Sequence, residues 1–155
     1  MTRFNIPRDF SVFVLEDNAD RIAWFKAHVP HAVIATTSSK AIDILRENDF
    51  RIIFLDHDLG FLDAAYPNRL HGNGKEVARF LAWTQSRAVM VIHSRNEIGA
   101  RAMKKYLPHA HIAPFGEFVI ENLLKQDGRL EVEVLSSGAD DSNSPFGLHC
   151  TRTRQ

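Results

Sequence analysis

Cysteine is nearly absent from this chain of 155 residues: Cys150 stands alone, so no internal disulfide can form. A lone thiol agrees with a reducing compartment, and cytoplasm is the expected location. An excess of charge of either sign is also missing, because nineteen Lys and Arg offset nineteen Asp and Glu. Without a bulk positive field the protein is not expected to bind double-stranded DNA or an anionic membrane, and a nucleic-acid substrate has to be held locally. No apolar stretch is long enough to cross a bilayer, and the apolar run in "MTRFNIPRDFSVFVLED" is too short for the core of a signal peptide, so export is not expected. What the chain does have is hydrophobic residues, 45% of the total, enough to bury one core.

Five short apolar runs recur: "FSVFVL", "HAVIAT", "RIIFLD", "AVMVIHS" and "HIAPF". Each precedes a segment of helical spacing. Asn18 can cap the first helix, with Ile22, Phe25 and Val29 on one stripe, and serines open the second, with Ala41, Ile42, Ile44 and Leu45 inward. The third helix offers Val77, Phe80 and Leu81, and the fourth offers Ile98, Ala102, Met103 and Tyr106 before Pro108 ends it. "GEFVIENLLKQ" reads as the fifth. Strands apolar on both faces belong in a parallel sheet covered by helices, and right-handed crossovers leave few topologies. The expected fold is α/β: a flavodoxin-like (βα)5 doubly wound parallel sheet of order 2-1-3-4-5. We expect one domain over residues 8–135, where "RLEVEVL" adds an edge strand, and a flexible tail over 136–155.

In such a sheet, ligands bind beyond the carboxyl ends of the strands near the reversal of strand order. There the first strand ends in Glu16 and Asp17, the third in Asp56, His57 and Asp58, and the fourth in His93, Ser94 and Asn96. Taken singly, Asp17 or Asn18 can be a helix cap, Asp58 with Gly60 a turn, and Asn96 another cap. Three polar ends on adjacent strands together point to a site. Glu16, Asp17, Asp56 and Asp58 supply hard oxygens for a divalent cation, magnesium or manganese, whereas His57 and His93 suit zinc or another transition metal, or a proton shuttle. Ser94, Asn96 and the amides opening the fourth helix favour a phosphate. The connection over residues 59–74, "LGFLDAAYPNRLHGNG", exceeds the usual βα loop and carries Tyr66, Arg69, His71 and Asn73, with Arg69 its only fixed cation.

Across residues 10–125 the chain resembles a response-regulator receiver domain. Glu16, Asp17, Asp56 and either His93 or Ser94 match the acidic pair, the third-strand aspartate and the small polar residue of that family. The resemblance implies magnesium binding there and phosphorylation at Asp56. It departs at the fifth strand, where Ala113 stands in place of the receiver lysine before Pro114. "LDHDL", the following "GNG" and "HSRN" resemble the receiver-derived cyclic-phosphate processing family, which implies a role on cyclic phosphates in RNA repair or nucleotide metabolism.

The leading expectation is a metal-dependent phosphoesterase acting on a 2',3'-cyclic phosphate of an RNA end or a nucleotide. Its cation is held by Glu16, Asp17, Asp56 and Asp58, Asp56, His57 and His93 are the catalytic candidates, and Ser94, Asn96, Asn73 and Arg69 orient phosphate oxygens. The alternative is a non-catalytic receiver-like module, phosphorylated on Asp56.

Overall fold

The computed structural model describes residues 1–60, 72–123, 130–135 and 152–154. In chain order the elements are β1 (Thr2–Pro7), β2 (Val12–Leu15), α1 (Ala19–His28), β3 (Val33–Ala35), α2 (Ser38–Glu47), β4 (Ile52–Leu55), α3 (Gly74–Thr84), β5 (Val89–Ile92), α4 (Glu97–Tyr106), β6 (His111–Ile112), β7 (Phe118–Leu123), β8 (Glu131–Val134) and β9 (Arg152–Arg154). They form two compact units: Phe10–Phe115, and Met1–Asp9 with Gly116–Gln155. The single domain expected over residues 8–135 spans all of the first unit and part of the second. No helix among the described residues is long and apolar enough to cross a membrane.

In the larger unit the sheet order is β3-β2-β4-β5-β6, all parallel, which is the expected 2-1-3-4-5. Every residue of β2 and β4 is buried, as strands covered on both faces require. Phe13, Leu15, Ile53, Leu55, Val77 and Met103 belong to one continuous core. Each large side chain there contributes about 1.5–3 kcal/mol by leaving water. Asn18, Asn73 and Asn96 cap α1, α3 and α4, each side chain accepting from a backbone N–H of the first turn. Thr37, rather than a serine, caps α2, and the buried Ser38 instead donates to Glu76 at 2.8 Å.

Helix α4 corrects the expected stripe. Ile98 and Tyr106 are exposed, and Gly99, Ala100 and Met103 face inward. The reason is the close approach of His57: a Cβ on Gly99 would lie 2.5 Å from the imidazole Cγ, so the helix sits with its glycine against that ring.

His111 on β6 is half-buried, and burial, helped by the charge of Lys104, holds its imidazole below the ordinary value. The folded state therefore binds fewer protons than the unfolded chain as pH drops below about 6.5, and stability falls with it. Urea midpoints measured between pH 7.5 and 5 are expected to decline less steeply for His111→Asn than for the wild type.

The smaller unit holds a sheet of order β7-β1-β8-β9, with β1 parallel to β7 and antiparallel to β8, and β9 antiparallel to β8. Phe4, Ile6, Phe118, Ile120, Leu130 and Val132 are buried. Arg3 pairs with Glu121 at 3.5 Å and Glu133 at 3.7 Å. Two expectations are corrected here. "GEFVIENLLKQ" does not form a fifth helix: Phe118–Leu123 is a strand, because Phe118 and Ile120 alternate with outward residues and β1 supplies a partner along its length. "RLEVEVL" does form a strand, but it lies between β1 and β9 rather than at the edge of the five-stranded sheet. Within the expected tail, Arg152–Arg154 is β9, and residues 136–151 and 155 lie outside the described residues.

Candidate functional site

The site follows from strand register. Leu15, Leu55 and Ile92 are aligned across β2, β4 and β5, so the next residue on each strand emerges at the same level. Those residues are Glu16, Asp56 and His93. The ladder continues through them, with Asp56 N donating to Leu15 O at 3.1 Å and His93 N to Leu55 O at 2.9 Å. All three are buried, and one ligand atom from each lies within 4.8 Å of the others. Such a cluster of two carboxylates and an imidazole is consistent with the metal site of receiver domains.

Each carboxylate is differently secured. Glu16 Oε1 accepts from the backbone N–H groups of Asp17 at 3.1 Å and Asn18 at 3.0 Å, and its Oε2 accepts from His93 Nε2 at 2.9 Å. Burial pushes the Glu16 carboxyl up, but the His93 hydrogen bond and charge, the Asn18 amide and the Arg21 guanidinium together hold it below the ordinary carboxylate value. Asp56 Oδ1 accepts from His57 N at 2.8 Å. There burial prevails, with Glu16 adding to it, and the Asp56 carboxyl is raised although His93, the His57 amide and the Ser94 hydroxyl oppose the shift. Two neighbouring acids are thus driven apart, which is how a site separates roles between like groups.

Above this floor lies a cleft of about 370 Å³ lined by Glu16, Asp17, Asp56, Asp58, Ser94 and Asn96 of the expected residues, together with Asn18, Arg21 and Arg95. Asp17 accepts from the Gly60 amide. Asp58 accepts from Asn96 Nδ2 at 3.1 Å and from His57 Nδ1 at 2.7 Å. Ser94 Oγ accepts from Asn96 N at 3.1 Å. His93 has no exposed surface and lies under the cleft, its ring 5.3 Å from that of Phe25, and among the described residues its Nδ1 has no hydrogen-bond partner. Asn73 spends its side-chain oxygen on Glu76 N at 3.3 Å as a helix cap, and forms a bridge with Asp58 through the backbone. Arg69, with Tyr66 and His71, lies outside the described residues.

Sequence reasoning missed Arg21. From the first turn of α1 its Nη1 reaches 3.7 Å from both Glu16 Oε2 and Asp56 Oδ2, and its guanidinium lies over the Phe115 ring. The available signal was its position one turn beyond the "LEDN" strand end, where a helix returns to the sheet edge.

An acidic pair, a strand-end aspartate and a parallel sheet of this order define a receiver-like domain. Solved structures agree on the fold. The chain is similar to the N-terminal domain of an uncharacterized protein from Wolinella succinogenes at 14% identity and a TM-score of 0.53, covering 68% of this chain and 82% of that one. A signal receiver domain of a LuxO-type repressor protein from Vibrio parahaemolyticus matches at 15% identity and a TM-score of 0.51, covering 74% and 79%. A Francisella response-regulator receiver domain matches at 13% identity and 0.50, covering 73% and 84%. Comparison with curated proteins finds no match. The family model described as the cyclic-phosphate processing receiver domain matches residues 12–109, and the chain belongs to that family.

Proposed function

We propose that this protein is a metal-dependent phosphoesterase that opens a cyclic phosphate, with a 2',3'-cyclic end on RNA or on a nucleotide as the substrate class. The observation that carries the reading is the charge of the cleft: among the described residues four carboxylates and two guanidinia line it, an excess of two negative charges. Alone, that excess repels a phosphate; one divalent cation cancels it. Glu16, Asp17, Asp56 and Asp58 would hold the ion, which supplies charge neutralisation at the phosphoryl oxygens and an activated water when bound. His93 is not part of the cleft lining, and its Nε2–H is spent on Glu16 Oε2, whereas the cleft wall presents carboxylate oxygens. That favours oxygen ligands, hence magnesium or manganese, with His93 positioning Glu16. Zinc fits the donor set less well.

The chain's own groups handle the rest. His57 donates its Nδ1–H to Asp58, which fixes the ring and leaves Nε2 to take a proton from water or return one to the departing alkoxide. Ser94 and Asn96 orient phosphate oxygens from the cleft wall. Purified protein with magnesium or manganese is expected to hydrolyse 2',3'-cyclic nucleotides, followed by separation of the ring-opened monophosphates; no turnover with any divalent metal on any cyclic phosphate would sink the reading. Gly99→Ala is expected to push His57 off Asp58, lowering kcat about 100-fold and lowering the melting temperature as well, because the added methyl meets the base of the ring.

A second reading, a phosphorylation switch, draws on Asp56 itself, a receiver-type strand-end aspartate with the Ser94 hydroxyl at its carboxylate. Intact mass after incubation with a small phosphodonor separates the two. A stable adduct at Asp56 favours the switch, and turnover without one favours the hydrolase.

A further inference from the structure

Among the described residues two arginines line the cleft, and both rest on one residue. The Arg21 guanidinium carbon lies 5.1 Å from the Phe115 ring centroid, and Arg95 Nε donates to the Phe115 carbonyl oxygen at 3.2 Å. Phe115 is itself held firmly. Its N–H donates to His93 O at 2.8 Å, and its ring meets Trp24 edge-on at 5.2 Å. One aromatic residue just after Pro114 therefore fixes guanidinia that arrive from two elements, the first turn of α1 and the connection between β5 and α4.

The donors of Arg21 are not consumed by this arrangement. Its two ion pairs, both at 3.7 Å and both through Nη1, are longer than a hydrogen bond, and the guanidinium donates to no other described residue. Arg95 commits only Nε. Planar guanidinia with spare N–H groups, held by stacking and by a carbonyl, are preorganised to bind a phosphate through paired donors.

We infer that Phe115 assembles Arg21 and Arg95 into a two-arginine clamp for the phosphate group. The inference rests on the phosphoesterase reading and names what the clamp prefers. A cyclic phosphodiester carries one negative charge. When water adds at phosphorus and the ring P–O bond breaks, the water proton passing to the departing alkoxide, the resulting monoester loses a further proton and carries two charges at neutral pH. The clamp therefore grips the transition state and the product more strongly than the substrate, and its loss lowers kcat more than it raises KM.

The test uses the whole chain and titrates inorganic phosphate in the presence of magnesium, alongside kinetics on a 2',3'-cyclic nucleotide. Arg21→Ala and Arg95→Ala are each expected to weaken phosphate binding about 10-fold or more. Phe115→Leu, which removes the ring but not its bulk, is expected to weaken it too. Millimolar guanidinium should restore part of the activity of Arg21→Ala and none to the wild type, a rescue that a structural role would not produce. Because Arg95 is exposed, its variant reports binding even if Arg21→Ala folds poorly. Phosphate affinity unchanged in both arginine variants, or no phosphate binding by the wild type, would overturn the clamp. Arginine-dependent phosphate binding without turnover of any cyclic phosphate would leave the clamp standing and sink the phosphoesterase reading instead.

Discussion

Asp56→Asn is expected to reduce turnover of a 2',3'-cyclic nucleotide by about 1,000-fold or more, while the protein becomes no less stable at neutral pH. The two halves of this expectation have one cause. Asp56 is buried beside Glu16, and its carboxyl is raised above the ordinary value of 3.8. A raised acid stabilises the fold below its unfolded pKa and loses that contribution as pH rises through the folded one, so at neutral pH the ionised group costs stability. The amide has the same shape, keeps an oxygen for His57 N, and carries no charge to desolvate. Chemistry loses its ligand or nucleophile and folding loses a penalty. Kinetics and urea denaturation on the same preparation check both. An active Asp56→Asn variant would remove Asp56 from the mechanism.

Glu16→Ala is expected to cost about 3–5 kcal/mol of stability. Its carboxylate serves the Asp17 and Asn18 amides through one oxygen and His93 through the other, all at zero exposure of its own. Truncation leaves the buried imidazole with neither nitrogen paired among the described residues, since Nδ1 already lacks a partner. Glu16→Gln should be milder, because an amide oxygen still accepts from the two backbone groups. In a double-mutant cycle with His93→Phe the pair should cost less than the sum of its members, since the imidazole that Glu16→Ala strands is gone. A loss below about 1 kcal/mol for Glu16→Ala would mean that the pair contributes little.

How far the sequence carries depends on where each residue's partner lies. The five strands of the larger sheet are legible because helices cover both faces, which forces uninterrupted apolar runs such as "RIIFLD". The level emergence of Glu16, Asp56 and His93 follows from parallel register once the strand ends are known. Phe118–Leu123 misleads because "FVIENL" satisfies alternation and helical spacing alike, and the choice is made by β1 more than a hundred residues away. The α4 stripe misleads because Gly99, with no side chain to count as apolar, sets the buried face. Arg21 and Phe115 escape notice for a similar reason: a solvated arginine and a core phenylalanine are the ordinary readings of each, and only their contact turns them into part of the site.

Asn73–Gly74 has a consequence for how this protein ages. An asparagine followed by glycine is the dipeptide most prone to deamidation, which begins when the glycine nitrogen attacks the asparagine side-chain carbonyl to close a succinimide ring. Here that nitrogen donates to His57 O at 2.8 Å in the first turn of α3, and the carbonyl oxygen is occupied by Glu76 N. Folded molecules are shielded from the reaction and opened ones are not, so isoaspartate at residue 73 would accumulate on storage as a chemical record of how often each molecule has let go of its third helix.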